Sequence, residues 1–173
     1  MIFNLFRKSP APDAAYEAYR SIVAQSRRPV FYADWGVPDT VTGRFDMISL
    51  HLALLLRRLK GAPEAQAFTQ ALVDLFFRDM DRSLRELGVT DLGVPRKVKT
   101  MGNIFYGLVD VLAEVLDTGD AAAVEAVLVK NVYGGAATAG AAPLAAYLCA
   151  EASALAAEPT GTLVAGRRTD AAA

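Results

Sequence analysis

Residues Trp35–Lys60, WGVPDTVTGRFDMISLHLALLLRRLK, decide how this chain folds. They open as a turn and continue as one long helix that carries positive charge inside its apolar surface. At about 100° per residue, Arg44, His51 and Arg58 recur every seven positions and form a single stripe. Phe45, Ile48, Leu52, Leu55 and Leu59 lie on one side of that stripe; Met47, Leu50 and Leu54 lie on the other. A charge between two apolar arcs must meet a carboxylate inside the fold or a group on a partner. Thr42 is the expected N-cap, with Asp46 near the first turn, and Gly61 is the expected stop.

Upstream, Pro10 and Pro12 precede a helix from about Asp13 to Ser26, with Tyr16, Tyr19, Ile22 and Val23 on its apolar face. Pro29 is expected to end it, leaving VFYADWGVPD as an irregular, aromatic-rich connection. Downstream, Pro63 and Glu64 begin a third helix that runs to Leu87 and stops at Gly88. Asp74, Arg78, Asp81 and Arg85 form its solvated stripe, whereas Asp79 falls near Leu72, Phe76 and Ser83, away from that stripe. Pro95 suits the first turn of a fourth helix, with Lys97 and Lys99 at its start and Val98, Met101, Phe105, Leu108, Leu112 and Leu116 facing the core. Asp120 caps a shorter fifth helix, GGAATAGAAP reads as a mobile connection, and a last helix runs from about Pro143 to Ala157. No segment alternates with period two. The expected fold is all-α, about six helices in one irregular bundle, with an apolar and basic hook at 1–12, a helical body at 13–157 and a flexible tail at 158–173.

The chain has 173 residues, enough for one domain with a proper core. It is 53% hydrophobic and 21% charged, with a net charge of −1, which argues against general nucleic-acid binding through phosphate neutralisation. Residues 1–60 hold nine Lys or Arg against five Asp or Glu, and the remainder holds nine against fourteen. The basic third and the acidic rest can tie the two halves together, or orient the molecule on an anionic surface. The start, MIFNLFRKSP, places its charge after its apolar residues, the reverse of a secretory signal. It reads as a hook that packs on the body or touches a membrane interface. The longest plain apolar run, Leu52–Leu56, is far too short to span a bilayer.

Catalytic chemistry is missing by inventory. His51 has no second histidine, and Cys149 has no cysteine partner and no adjacent base. His51 reads as a packed, hydrogen-bonded residue, with a ligand, haem or acid–base role as the other reading. No metal-ligand cluster or phosphate-cradling glycine pattern is present, so no enzyme activity and no cofactor are expected. For the buried stripe, helices two and three are expected to pack together, with Asp79 or Glu86 answering Arg58, Arg44 or both.

Two blocks, DWGVPDTVTGRFDMISLHLALLLRRL and FFRDMDRSLRELGVTDLGVPRKVKTMGNIFYG, resemble the ubiquinol–cytochrome c chaperone family. The likeness spans roughly 31–133 and carries WGVPDT, RFD with a downstream His and RRL, DMDxxLRExGV and VKxM…FYG in that order. It implies a non-catalytic factor that binds newly made cytochrome b and promotes assembly of the respiratory cytochrome bc complex. Such proteins occur in mitochondria and alphaproteobacteria; the mitochondrial relatives act with a small accessory protein and associate with the ribosome. A short chain without a transit-like start resembles a bacterial form, expected in the cytoplasm or peripheral at the inner face of the inner membrane.

A helper for an apolar membrane protein needs an accessible apolar groove with a polar rim. The expected surface combines Phe31, Tyr32 and Trp35 with Met47, Leu50 and Leu54 of helix two and Phe105 and Tyr106 of helix four. The alternative function is a lipid- or haem-binding helical carrier with His51 facing an internal cavity.

Overall fold

The computed structural model describes residues 11–167, so all but the last two residues of the hook lie outside the described residues. Eight helices follow in order: α1 (Ala11–Ser26), α2 (Pro29–Ala33), α3 (Val41–Leu59), α4 (Gln66–Glu86), α5 (Val94–Thr118), α6 (Ala121–Asn131), α7 (Ala141–Ala157) and α8 (Thr160–Val164). A short 3-10 turn, Pro63–Ala65, leads into α4. The long ones are the six the periodicity gives, and no strand occurs among the described residues. The chain is an all-α bundle.

The bundle is built around α3. Every residue from Ser49 to Leu55 is buried, because α3 packs on α5, α1 and α7 at once. Its N-cap is Thr40 rather than Thr42: the Thr40 hydroxyl accepts from the Gly43 N–H at 3.1 Å. Gly43 lets Pro38 pack close to this first turn: a Cβ there would stand 1.9 Å from the Pro38 carbonyl oxygen. Asp120 caps α6 as expected, accepting from the Ala122 N–H at 2.9 Å.

Three connections are more ordered than their composition suggests. Pro29 starts α2 instead of only ending α1, since proline fits the first helical position. The glycine-rich segment before α7 is wedged in place: a Cβ on Gly140 would lie 1.7 Å from the Trp35 carbonyl oxygen, and Ala141 is buried. The Tyr133 hydroxyl donates to that same Trp35 oxygen at 2.9 Å, locking the WGVPD turn to the α6–α7 connection. Beyond α7, in the stretch expected to be a flexible tail, α8 buries Leu163.

Candidate functional site

Although α3 is enclosed by α5, α1 and α7, it packs only loosely on α4, which turns to α1 and α5 instead. The gap is a groove of about 250 Å³. Its α3 wall presents Val41, Phe45 and Ile48, at i, i+4 and i+7 of one helical face. Its other wall is lined by Phe76, Met80 and Leu84 of α4, all nearly buried, and by the exposed Leu87 just past the helix. Met101 of α5 also lines it. The floor is stiffened by ring packing: Phe45 stacks on Phe76 with centroids 5.1 Å apart, and Phe76 leans on Phe105 at 4.7 Å. Val41 is 45% exposed and Leu87 is 57% exposed, so the groove opens at both walls.

Charge divides along the rim. Arg27 and Arg44 stand on the α1–α3 side, and Asp79 and Glu86 on the α4 side. The Tyr19 hydroxyl crosses between α1 and α4 to donate to Asp79 Oδ2 at 3.0 Å. Burial, and then the neighbouring Asp79 carboxylate, raises the pKa of Tyr19, keeping it a phenol and a donor. Arg82 holds the other Asp79 oxygen and also reaches Glu86 at 3.9 Å. Arg44 donates to Asp39 at 2.7 Å, and this hydrogen bond holds the Asp39 carboxyl below its ordinary range. The rim is therefore polar, ordered and solvated above an apolar floor.

The expected contact surface lies mostly elsewhere. Phe31, Met47, Leu50, Leu54 and Phe105 are buried in the core and offer no surface to a partner. The reason is that α3 is covered on the Met47–Leu50–Leu54 side, while the Phe45–Ile48 side of its first half is left open. Tyr32 is half-buried and donates to the Ser26 carbonyl at 2.8 Å. Trp35 packs its ring on Phe31 and Tyr147, with centroids 5.4 and 5.9 Å away. Tyr106 alone of the set is exposed, at 50%, beside Phe77 and outside the groove.

The expected charge pairing is also corrected. Neither Asp79 nor Glu86 meets Arg44 or Arg58; their partner is Arg82 on their own helix. Arg58 lies at the far end of α3 and turns to α7, donating to Leu155 O at 2.9 Å, Glu158 O at 2.6 Å and Thr160 Oγ1 at 3.3 Å. Asp79 does face inward beside Phe76 and Ser83, where its helical angle places it.

His51 is a buried structural link. A backbone carbonyl only accepts, so Nδ1 carries the proton and donates to Met47 O at 2.7 Å. Nε2 then accepts from the Tyr147 hydroxyl at 2.9 Å. Gln25 donates to the Tyr147 oxygen at 2.8 Å and to Glu151 at 3.1 Å, joining α1, α3 and α7. Both ring nitrogens are thus engaged, and the cavity beside them holds about 40 Å³, far below the several hundred of a cofactor pocket. His51 is packed, with both ring nitrogens hydrogen-bonded. Among the described residues no cluster of His, Cys, Asp and Glu has the makings of a metal site.

Comparison with known proteins agrees with this architecture. The model of the family described as ubiquinol-cytochrome C chaperone matches residues 33–169, most of the chain. The crystal structure of the Cbp3 homolog from Brucella abortus superposes with a TM-score of 0.87 and 40% sequence identity. The match covers 98% of this chain and 97% of that one. No curated protein matches the sequence.

Proposed function

The chain belongs to the ubiquinol-cytochrome C chaperone family, and on that premise we propose that it is a non-catalytic assembly chaperone for cytochrome b of the respiratory cytochrome bc complex. The groove between α1, α3 and α4 is its holding site. A newly made membrane segment carries apolar side chains on every face, and in water these must be covered. Between Phe76 and Leu87 the α4 wall runs for about 16 Å at 1.5 Å per residue. The apolar side chains open to a client along it are Val41 and Leu87 with the half-buried Phe45, Ile48 and Met101, which suits the i, i+4 and i+7 anchors of one short helical segment. The floor gives such a segment non-directional apolar contact, and the divided rim meets its flanking polar groups. Nothing in this arrangement requires a bond to be made or broken.

The single observation carrying this reading is the open apolar groove under an ordered polar rim. Its test is capture of cell-free-synthesised cytochrome b by the tagged chain, comparing wild type with Val41→Asp and Leu87→Asp. Both positions are partly exposed, so both variants should fold while losing capture. Equal capture by two folded variants would remove the groove from the mechanism. In cells, deleting the gene should lower the cytochrome bc complex and spare other membrane enzymes; a normal level of the complex would remove the client assignment.

A further inference from the structure

The connection from α4 to α5 holds an apolar side chain out into solvent. Gly93 N–H donates to Thr90 O at 2.8 Å, and Val94 N–H donates to the same oxygen at 3.0 Å. Val94 is buried behind this turn, and Arg85 pairs with Asp91 in front of it. Fixed from both sides, Leu92 is 94% exposed, well beyond any other large apolar side chain among the described residues. Arg96, Lys97 and Lys99 follow in the first two turns of α5, and all three are exposed. No carboxylate among the described residues pairs with any of them. Cations at a helix N-terminus oppose the macrodipole, and the first turn of α5 contains no acidic residue to offset them. Local folding preferences therefore work against this arrangement, whereas an external anionic surface would favour it.

The geometry points to the Leu92 turn and the start of α5 as a docking surface for an anionic lipid bilayer. Leu92 enters the boundary between headgroups and acyl chains, and the three long cationic side chains reach the lipid phosphates around it. A nucleic-acid backbone would match the charges but leave Leu92 without a role. The surface also adjoins the groove, because Leu87, where the connection begins, and Met101, one turn beyond Lys97, both line it. Docking would bring the groove mouth against the membrane. The inference stands whether or not cytochrome b is the client.

Sedimentation of the full chain with vesicles tests it, using phosphatidylcholine with and without phosphatidylglycerol. Each cation near an anionic surface contributes about fivefold to partitioning. Binding should therefore require phosphatidylglycerol, weaken with added salt, and fall about a hundredfold in the triple variant Arg96→Gln/Lys97→Gln/Lys99→Gln. Leu92→Ser should lower it about tenfold, with melting curves unchanged in both variants. Equal binding to pure phosphatidylcholine, or wild-type affinity in the triple variant, would overturn the inference. So would loss of binding on neutralising only Arg7 and Lys8, which assigns the contact to the hook. Tighter binding to single-stranded RNA, unaffected by Leu92→Ser, would assign the cations to nucleic acid and also overturn it.

Discussion

The Arg58 guanidinium of α3 closes the C-terminal end of α7, its Nε donating to the Leu155 carbonyl oxygen at 2.9 Å. A helix leaves its last carbonyls without internal partners, and a cation there also suits the macrodipole. At this point the basic stripe of α3 is answered by two backbone carbonyls and the Thr160 hydroxyl, and by no carboxylate among the described residues.

Arg58→Met should lower the unfolding free energy by about 2–3 kcal/mol, since it removes charged hydrogen bonds to carbonyls at a partly buried helix end. Arg58→Lys should recover only part of this, because one ammonium cannot span the three acceptors. Urea midpoints measure both. Asp79→Ala should cost about 1 kcal/mol, mainly the Tyr19 hydrogen bond. A double-mutant cycle between positions 58 and 79 should show coupling below about 0.5 kcal/mol.

Asp46 makes stability depend on pH. It is buried on α3, and desolvation pushes its carboxyl up to about 7. Between its ordinary value near 3.8 and that raised value, the unfolded chain has released this proton while the folded chain keeps it. The unfolded state binds fewer protons, so stability falls as pH rises through this window and levels off above it. The loss is up to about 4 kcal/mol. Asp46→Asn should flatten the profile and raise the melting midpoint most at about pH 8. Parallel profiles for variant and wild type would refute the assignment.

Leu54 and Val41 should respond oppositely to a carboxylate. Leu54→Asp places a charge in the enclosed core and should cost more than about 4 kcal/mol, leaving the chain largely unfolded by circular dichroism. Val41→Asp sits at the groove mouth and should change the unfolding free energy by no more than about 0.5 kcal/mol. The two arcs of α3 are distinguished by this pair.

Gly140→Ala should destabilise by about 1–3 kcal/mol, because the new methyl meets the Trp35 carbonyl and cannot be relieved by a side-chain rotation. Gly107→Ala is the control: a Cβ there meets nothing. Gly107 lies inside α5, so its replacement should raise the midpoint slightly.

Much of this was readable along the chain. The helix pattern of α3 through α7 follows from apolar spacing, and Asp120 and Pro95 mark helix starts as their chemistry predicts. Asp79 could be set apart from the solvated stripe by angle alone, and it does line the groove. Leu92 gave no comparable signal, because a lone leucine in a turn is read as loop until its exposure is known. The order in the α6–α7 connection was hidden too, since the small residues that normally permit motion here permit the close approach of Gly140 to Trp35.

By itself the sequence determined the six long helices, the Asp120 cap and which family blocks are present, because those depend on neighbours within a few positions; α2, α8 and the Thr40 cap emerged only with the structure. Only the tertiary structure decided which arc of α3 is open, what Arg58 holds, and where the groove lies. Periodicity sets the angle between two side chains on a helix, but it carries no information about what covers each one. Here α5, α1 and α7 all pack on α3 and Met47, Leu50 and Leu54 are buried, whereas α4 meets α3 mainly through the Phe45–Phe76 stack and leaves Val41 at the groove exposed.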